Sequence, residues 1–291
     1  MSLAVEISDA LGTAGISAGD TVFVHSGMRG LALKLLAAGR RDGDIVKMAA
    51  AELHQGLVQA TGELGTLSVP AFFYEYGRYR TPFDAATSKP DLRLGGYSAL
   101  FLGLEGMRRS LCPPVSIMAV GRHASDICDT GSGYGYGSLS PWQRLTDLNA
   151  KMVFWDVSPR MATFIHHVEV LAGVPHIYNK TYDAPVTGLD GPFDGPVVSA
   201  VRYLNEKFSI VYELRRFAEA LVEAGLVTSH TLGPITFHVT DFKNSERLLL
   251  DKLKADPYFL LLKPPHFTPG EIPIDGAVGD VNPNLSYRPE E

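Results

Sequence analysis

Residues 19–29 read Gly19-Asp20-Thr21-Val22-Phe23-Val24-His25-Ser26-Gly27-Met28-Arg29. Gly19-Asp20 is a turn pair, and the β-branched and aromatic residues after it predict a short strand ending at His25. Upstream, residues 3–12 carry apolar positions at helical spacing. Downstream, Asp42 and Asp44 offer carboxylates to the free amides of a helix that runs through Ile45, Met48, Ala49, Leu53 and Leu57. Gly65-Thr66-Leu67-Ser68-Val69-Pro70 and Lys151-Met152-Val153-Phe154-Trp155 read as further strands, with helical segments interleaved. This alternation argues for an α/β sandwich.

Residues 71–92 are rich in aromatics and turn formers without a period, which predicts a long functional loop. Amphipathic helices are expected over about 197–207, 212–225 and 241–255. From Pro264 onward the chain holds six prolines and no helical period, so residues 264–291 are expected to form an extended tail behind a single α/β domain over 1–263.

The formal net charge is −6, from 26 Lys and Arg against 32 Asp and Glu, with no basic run, which argues against a nucleic-acid partner. Two cysteines, Cys112 and Cys128, exclude a disulfide framework and a repeated zinc-module pattern. The start, MSLAVEISDALG, lacks a basic segment followed by an apolar one, and no stretch is apolar enough to span a bilayer. A cytoplasmic protein with no membrane partner is expected, and association into a homodimer is left open.

Several separated blocks, in order over roughly residues 15–260, resemble the aminoglycoside 3-N-acetyltransferase family. Residues 19–29 look like its GD-x-V-x-VHSSLR opening, with Gly27 where a second serine is usual. Residues 65–70 resemble its GTL-x-x-P strand, and Pro82-Phe83-Asp84-Ala85-Ala86-Thr87-Ser88 its PFDPATS. Arg109-Ser110-Leu111 with Ser116 and Gly121, then Tyr136-Gly137 and Ser140-Pro141, follow in sequence. Ala162-Thr163-Phe164-Ile165-His166-His167-Val168-Glu169, trailed by Gly173-Val174-Pro175, is similar to the family's catalytic helix. The resemblance implies layered α/β/α architecture around a mixed central sheet, distinct from the GNAT fold. It also implies acetyl transfer from acetyl-coenzyme A to an amine of an aminoglycoside or other amino sugar, with no metal.

It further places the coenzyme along His25, Ser26, Gly27, Met28 and Arg29, with Pro70, Phe72 and Ser116 beside them. Tyr74, Tyr76 and Asp84 are the expected substrate contacts. Two blocks depart from the pattern: Cys112-Pro113-Pro114-Val115-Ser116 stands where the family has HPTHS, and Gly133-Tyr134 replaces an acidic pair. A polycationic acceptor needs several carboxylates around it, whereas one amine on an uncharged or nucleotide-linked sugar needs stacking and hydroxyl contacts.

Acetyl transfer to an alkyl amine requires removal of a proton, and histidine titrates nearest to neutral pH. On a helix Glu169 shares a face with His166 three residues earlier, so it can orient the imidazole and stabilise the imidazolium. The apolar stripe Phe164, Val168, Leu171 and Ala172 lies opposite. His167 points about 100° away from His166, towards the surface or a supporting shell. The alternatives are an exposed His-Glu helix pair, a metal cluster of His166, Glu169 and His176 serving a hydrolase, and a non-catalytic binding protein on the same scaffold.

Overall fold

A computed structural model of the chain describes residues 2–40, 43–203 and 208–266. The elements in order are α1 (Leu3–Thr13), β1 (Thr21–Ser26), α2 (Arg29–Ala37), α3 (Ile45–Thr61), β2 (Thr66–Pro70), α4 (Tyr74–Tyr79), β3 (Phe83–Asp84) and α5 (Gly96–Leu100). There follow β4 (Arg108–Arg109), β5 (Ile117–Gly121), α6 (Ala124–Cys128), β6 (Gly133–Tyr134), α7 (Pro141–Asp147), β7 (Lys151–Trp155) and α8 (Ile165–Ala172). The last group is β8 (Ile177–Tyr182), β9 (Val186–Gly188), β10 (Gly191–Phe193), β11 (Val197–Arg202), α9 (Arg215–Glu223), β12 (Thr228–Leu232), β13 (Ile235–Asp241) and α10 (Phe242–Ala255).

The central sheet runs β12-β13-β7-β1-β2-β5-β4. β1 is parallel to both β2 and β7, while β13 and β5 run antiparallel to their neighbours, so the sheet is mixed. Strand alternation assigns side chains to two cores. Val22, Val24, Val153 and Trp155 join a cluster with Ile7, Leu31, Leu53 and Leu57 from α1, α2 and α3. Phe23, Met152 and Phe154 point the other way, onto Trp142, Ile165, Val168, Phe217 and Phe242 from α7, α8, α9 and α10. Each fully buried large side chain contributes about 1.5–3 kcal/mol of transfer free energy. Helices on both faces of a mixed sheet are the expected three-layered α/β/α sandwich.

Local chemistry sets the element ends. Asp44 caps α3 by accepting from the amides of Val46 at 3.0 Å and Lys47 at 3.2 Å. Asp241 does the same for α10, accepting from the Asn244 amide at 2.7 Å. Two expectations about segments change. Residues 197–202 form strand β11 rather than a helix, because their side chains alternate between a buried face (Val197, Ser199) and a more open one (Val198, Ala200), and β11 pairs antiparallel with β8. The loop over 71–92 contains α4 and the short β3, which joins β9. The tail lies outside the described residues from 267 onward. Among the described residues no helix is long and apolar enough to cross a membrane.

Candidate active site

The packing of α8 decides what its polar residues face. Phe164, just before it, meets Phe242 edge to face at 4.8 Å, and Val168 is wholly buried. His167 is wholly buried as well, not at the surface, and its Nε2 lies 3.4 Å from Oε2 of Glu246 on α10. Its Nδ1 accepts the Gly137 amide at 3.2 Å, so the ring proton belongs on Nε2. With Phe164 and His167 locked against α10, the helical rotation turns His166 and Glu169 towards a cavity of about 550 Å³.

Glu169 is fully buried at the centre of a donor cluster. Its Oε2 accepts from His166 Nδ1 at 2.7 Å and from the Tyr212 hydroxyl at 3.0 Å, and its Oε1 accepts from His176 Nε2 at 2.8 Å. Burial by itself raises the carboxyl's pKa, but the hydrogen bonds and charge of His166 and His176 outweigh it and hold the group down at about 2. The carboxylate is therefore ionised at neutral pH. An ionised carboxylate only accepts, so His166 carries its proton on Nδ1 and leaves the lone pair on Nε2, in a side chain that is 33% exposed. Tyr136 and Tyr212 press edge-on against the ring at 6.0 and 5.3 Å. Burial, followed by the nearby Glu169, pushes the Tyr212 phenol well above its ordinary pKa, so it remains a donor.

The three residues that the sequence offers as a metal cluster thus meet as donor–acceptor pairs, with one nitrogen of each imidazole spent on the carboxylate. His176 was visible in sequence only as a ligand candidate. Tyr212, on a separate segment before α9, had no signal.

Phe72 and Tyr74 line the same cavity as His166 and Glu169, together with side chains from β8 and β11. Tyr74 lies under the guanidinium groups of Arg93 and Arg78 at 5.0 and 5.3 Å. The other expected contacts lie outside its lining. Tyr76 is buried and donates its hydroxyl to the Ala184 carbonyl at 2.7 Å. Asp84 forms an Asx-turn, accepting from the amides of Ala86 at 2.8 Å and Thr87 at 3.1 Å. Ser116 is buried and donates to the Ala71 carbonyl at 2.6 Å, while Pro70 closes β2 opposite Ile117.

The end of β1 is a closely packed turn. His25 is buried, stacked on Phe154 at 5.3 Å, and its Nε2 has no hydrogen-bond partner among the described residues. Desolvation lowers its pKa to about 3, so it is neutral at pH 7. The Gly27 amide donates to the Trp155 carbonyl at 2.7 Å, and a Cβ there would meet the Asp156 carbonyl oxygen at 2.8 Å, so a larger residue at this position would require the turn to shift. Asp156 also accepts the Gly30 amide at 2.7 Å, so its carboxylate sits at the start of α2. Ser26 is half-buried, Met28 is buried and Arg29 is exposed.

The profile of the family described as aminoglycoside 3-N-acetyltransferase matches residues 24–249. The chain belongs to this family. It is 27% identical over 201 residues to an aminoglycoside N(3)-acetyltransferase III of Salmonella, covering 64% of this chain and 66% of that one, and 28% identical over 193 residues to its counterpart in Serratia marcescens, covering 61% and 67%. The chain thus spans about two thirds of the length of these relatives. Among solved structures, aminoglycoside acetyltransferase AAC(3)-IVa as apoenzyme superposes with a TM-score of 0.68 at 24% identity, over 89% of this chain and 91% of that one. AAC-IIIb, in a binary complex with CoASH, superposes with a TM-score of 0.69 at 20% identity, over 86% and 95%. Both share the fold.

Proposed function

We propose that this chain is an acetyl-coenzyme A-dependent N-acetyltransferase acting on an amine of an amino sugar, with His166 as general base, Glu169 as its orienting group and residues 1–263 as one catalytic unit. The observation that carries the reading is the 2.7 Å contact between His166 Nδ1 and Glu169, which leaves Nε2 as the basic atom at the cavity wall. As the amine nitrogen attacks the thioester carbonyl carbon, Nε2 takes the nitrogen's proton. The C–N bond forms, the C–S bond breaks, and the imidazolium returns the proton to the departing sulfur. Glu169, ionised and bonded to Nδ1–H, stabilises the imidazolium in between.

The residues fit a thioester substrate: Phe72, Tyr74, Pro114 and Val115 give the cavity apolar walls for a pantetheine arm. The relative crystallised with CoASH supports the coenzyme, and other neighbours are complexes with gentamicin and apramycin. The β1 end is the coenzyme contact that the family resemblance implies, with the half-buried Ser26 hydroxyl as a donor. The test is a thiol-release assay with acetyl-coenzyme A over a panel of aminoglycosides and phosphorylated or nucleotide-linked amino sugars. Acceptor-dependent release is expected. No release with any acceptor, joined to no heat on titrating coenzyme A, would count decisively against the reading.

A further inference from the structure

Among the described residues, the charges around the cavity are unlike those a polycation requires. Arg78 follows Tyr74 on α4, and Arg202 ends β11; both line the cavity that holds His166, as does Lys180 on β8. Lys180 is buried with its ammonium over the Tyr182 ring at 4.9 Å. The arginines rest on aromatic faces, Arg78 over Tyr74 at 5.3 Å and Arg202 over Tyr212 at 5.7 Å. Among the described residues neither guanidinium has a carboxylate within ion-pair distance. The cavity's carboxylate among those residues is Glu169, already occupied by two imidazoles and a phenol.

An aminoglycoside carries several ammonium groups. Placing it here would set them against Arg78 and Arg202 with no free acid among the described residues in return, and like charges in a partly desolvated cleft repel strongly. A guanidinium stacked on an aromatic ring keeps its edge N–H groups directed away from the ring face, available for bidentate contact with phosphate or carboxylate. Resting on the acetyltransferase reading above, we propose that the acceptor is an amine that also carries an anionic group, held by Arg78 and Arg202 while its nitrogen meets His166. The shared chemistry is that of an oxyanion. The coenzyme's own phosphates are a rival source, but the extended pantetheine arm sets them far from the thioester, whereas these arginines share one cavity with the base.

A matched pair of probes tests this in the full chain: glucosamine 6-phosphate against glucosamine, with kanamycin as the polycation. The phosphate-bearing amine should exceed glucosamine by about tenfold or more in kcat/KM, and kanamycin should be the poorest. In Arg78→Gln and Arg202→Gln the ratio between the paired probes should collapse towards one, with KM for acetyl-coenzyme A unmoved. A preference for kanamycin, an unchanged ratio in both variants, or a rise confined to KM for acetyl-coenzyme A would each overturn the proposal. The last result would assign the arginines to the coenzyme. Thermal shift with the same probes reads the preference without chemistry: stabilisation by glucosamine 6-phosphate beyond glucosamine is expected even if no transfer occurs, and equal shifts would overturn it. Preferred transfer to kanamycin would sink this inference alone; failure to bind acetyl-coenzyme A would sink the acetyltransferase reading.

Discussion

His25 and His166 are both buried in large part beside aromatic rings, yet their chemistry is opposite. His25 sits at the end of β1 between Phe23 and Phe154, with no acceptor for its Nε2 among the described residues and a pKa lowered to about 3. His166 has a carboxylate on Nδ1 and an open edge on the cavity. A base needs both a partner that stabilises its protonated form and access to the proton. The difference teaches that an imidazole becomes chemically useful through its second nitrogen, and the carboxylate behind that nitrogen separates a working base from a packed ring.

The comparison breaks first at His166. His166→Ala should lower turnover by about a hundredfold or more, near 3 kcal/mol of transition-state stabilisation, while coenzyme A affinity measured by calorimetry stays within about twofold. Glu169→Gln should lose less, because the imidazole survives with its tautomer no longer dictated by an acceptor-only partner. Wild-type turnover in folded His166→Ala would move the base elsewhere and remove the contrast with His25.

The second test reads His25 through stability. Its folded-state pKa is about 3 against 6.5 when unfolded, so between those values the unfolded chain binds the extra proton. Its contribution is therefore fully present above about pH 6.5 and is lost as pH falls towards 3. His25→Phe, which preserves the ring packing, should flatten the unfolding free energy against pH in that window by up to about 1.4 kcal/mol per pH unit relative to wild type. Parallel curves would show that the imidazole is not buried as a neutral ring. Glu169 titrates at the acid end of this window: held at about 2 against 4.5, its contribution is fully present above 4.5 and is lost as pH falls towards 2.

Much of this contrast was legible in the sequence, and the reason is local spacing. The strand Thr21–Ser26, the capped helix after Asp44 and the His166–Glu169 pair are each set by residues within one or two turns of each other, so period and cap chemistry reveal them. The rest depends on distance along the chain. Tyr212 reaches Glu169 across 43 residues, and nothing in its neighbourhood marks it. Arg202 enters the cavity because Val197–Arg202 pairs with β8, a register hidden by apolar residues that also suit a helix. Tyr76 and Asp84 satisfy their polar atoms within the fold, on Ala184 and in an Asx-turn, which composition does not distinguish from substrate contact. His167 reads as either a surface or a supporting neighbour of His166, and its burial against α10 decides for the second.

The smallest expected effect lies between the two histidines in character. Tyr212→Phe keeps the ring that meets His166 edge-on at 5.3 Å and removes only the hydroxyl that donates to Glu169 at 3.0 Å. Glu169 then retains both imidazoles but loses one of its three donors, so its buried charge is less well compensated, at a cost of about 1 kcal/mol in stability. The less stabilised carboxylate binds its proton more readily and draws harder on Nδ1–H of His166. Turnover should therefore change by only a few fold. Because the effect passes through Glu169, the same substitution made in Glu169→Gln should leave turnover where it was. A change of equal size in both backgrounds would mean that Tyr212 acts on His166 through the ring contact alone, and the carboxylate would lose its place as the feature that separates His166 from His25.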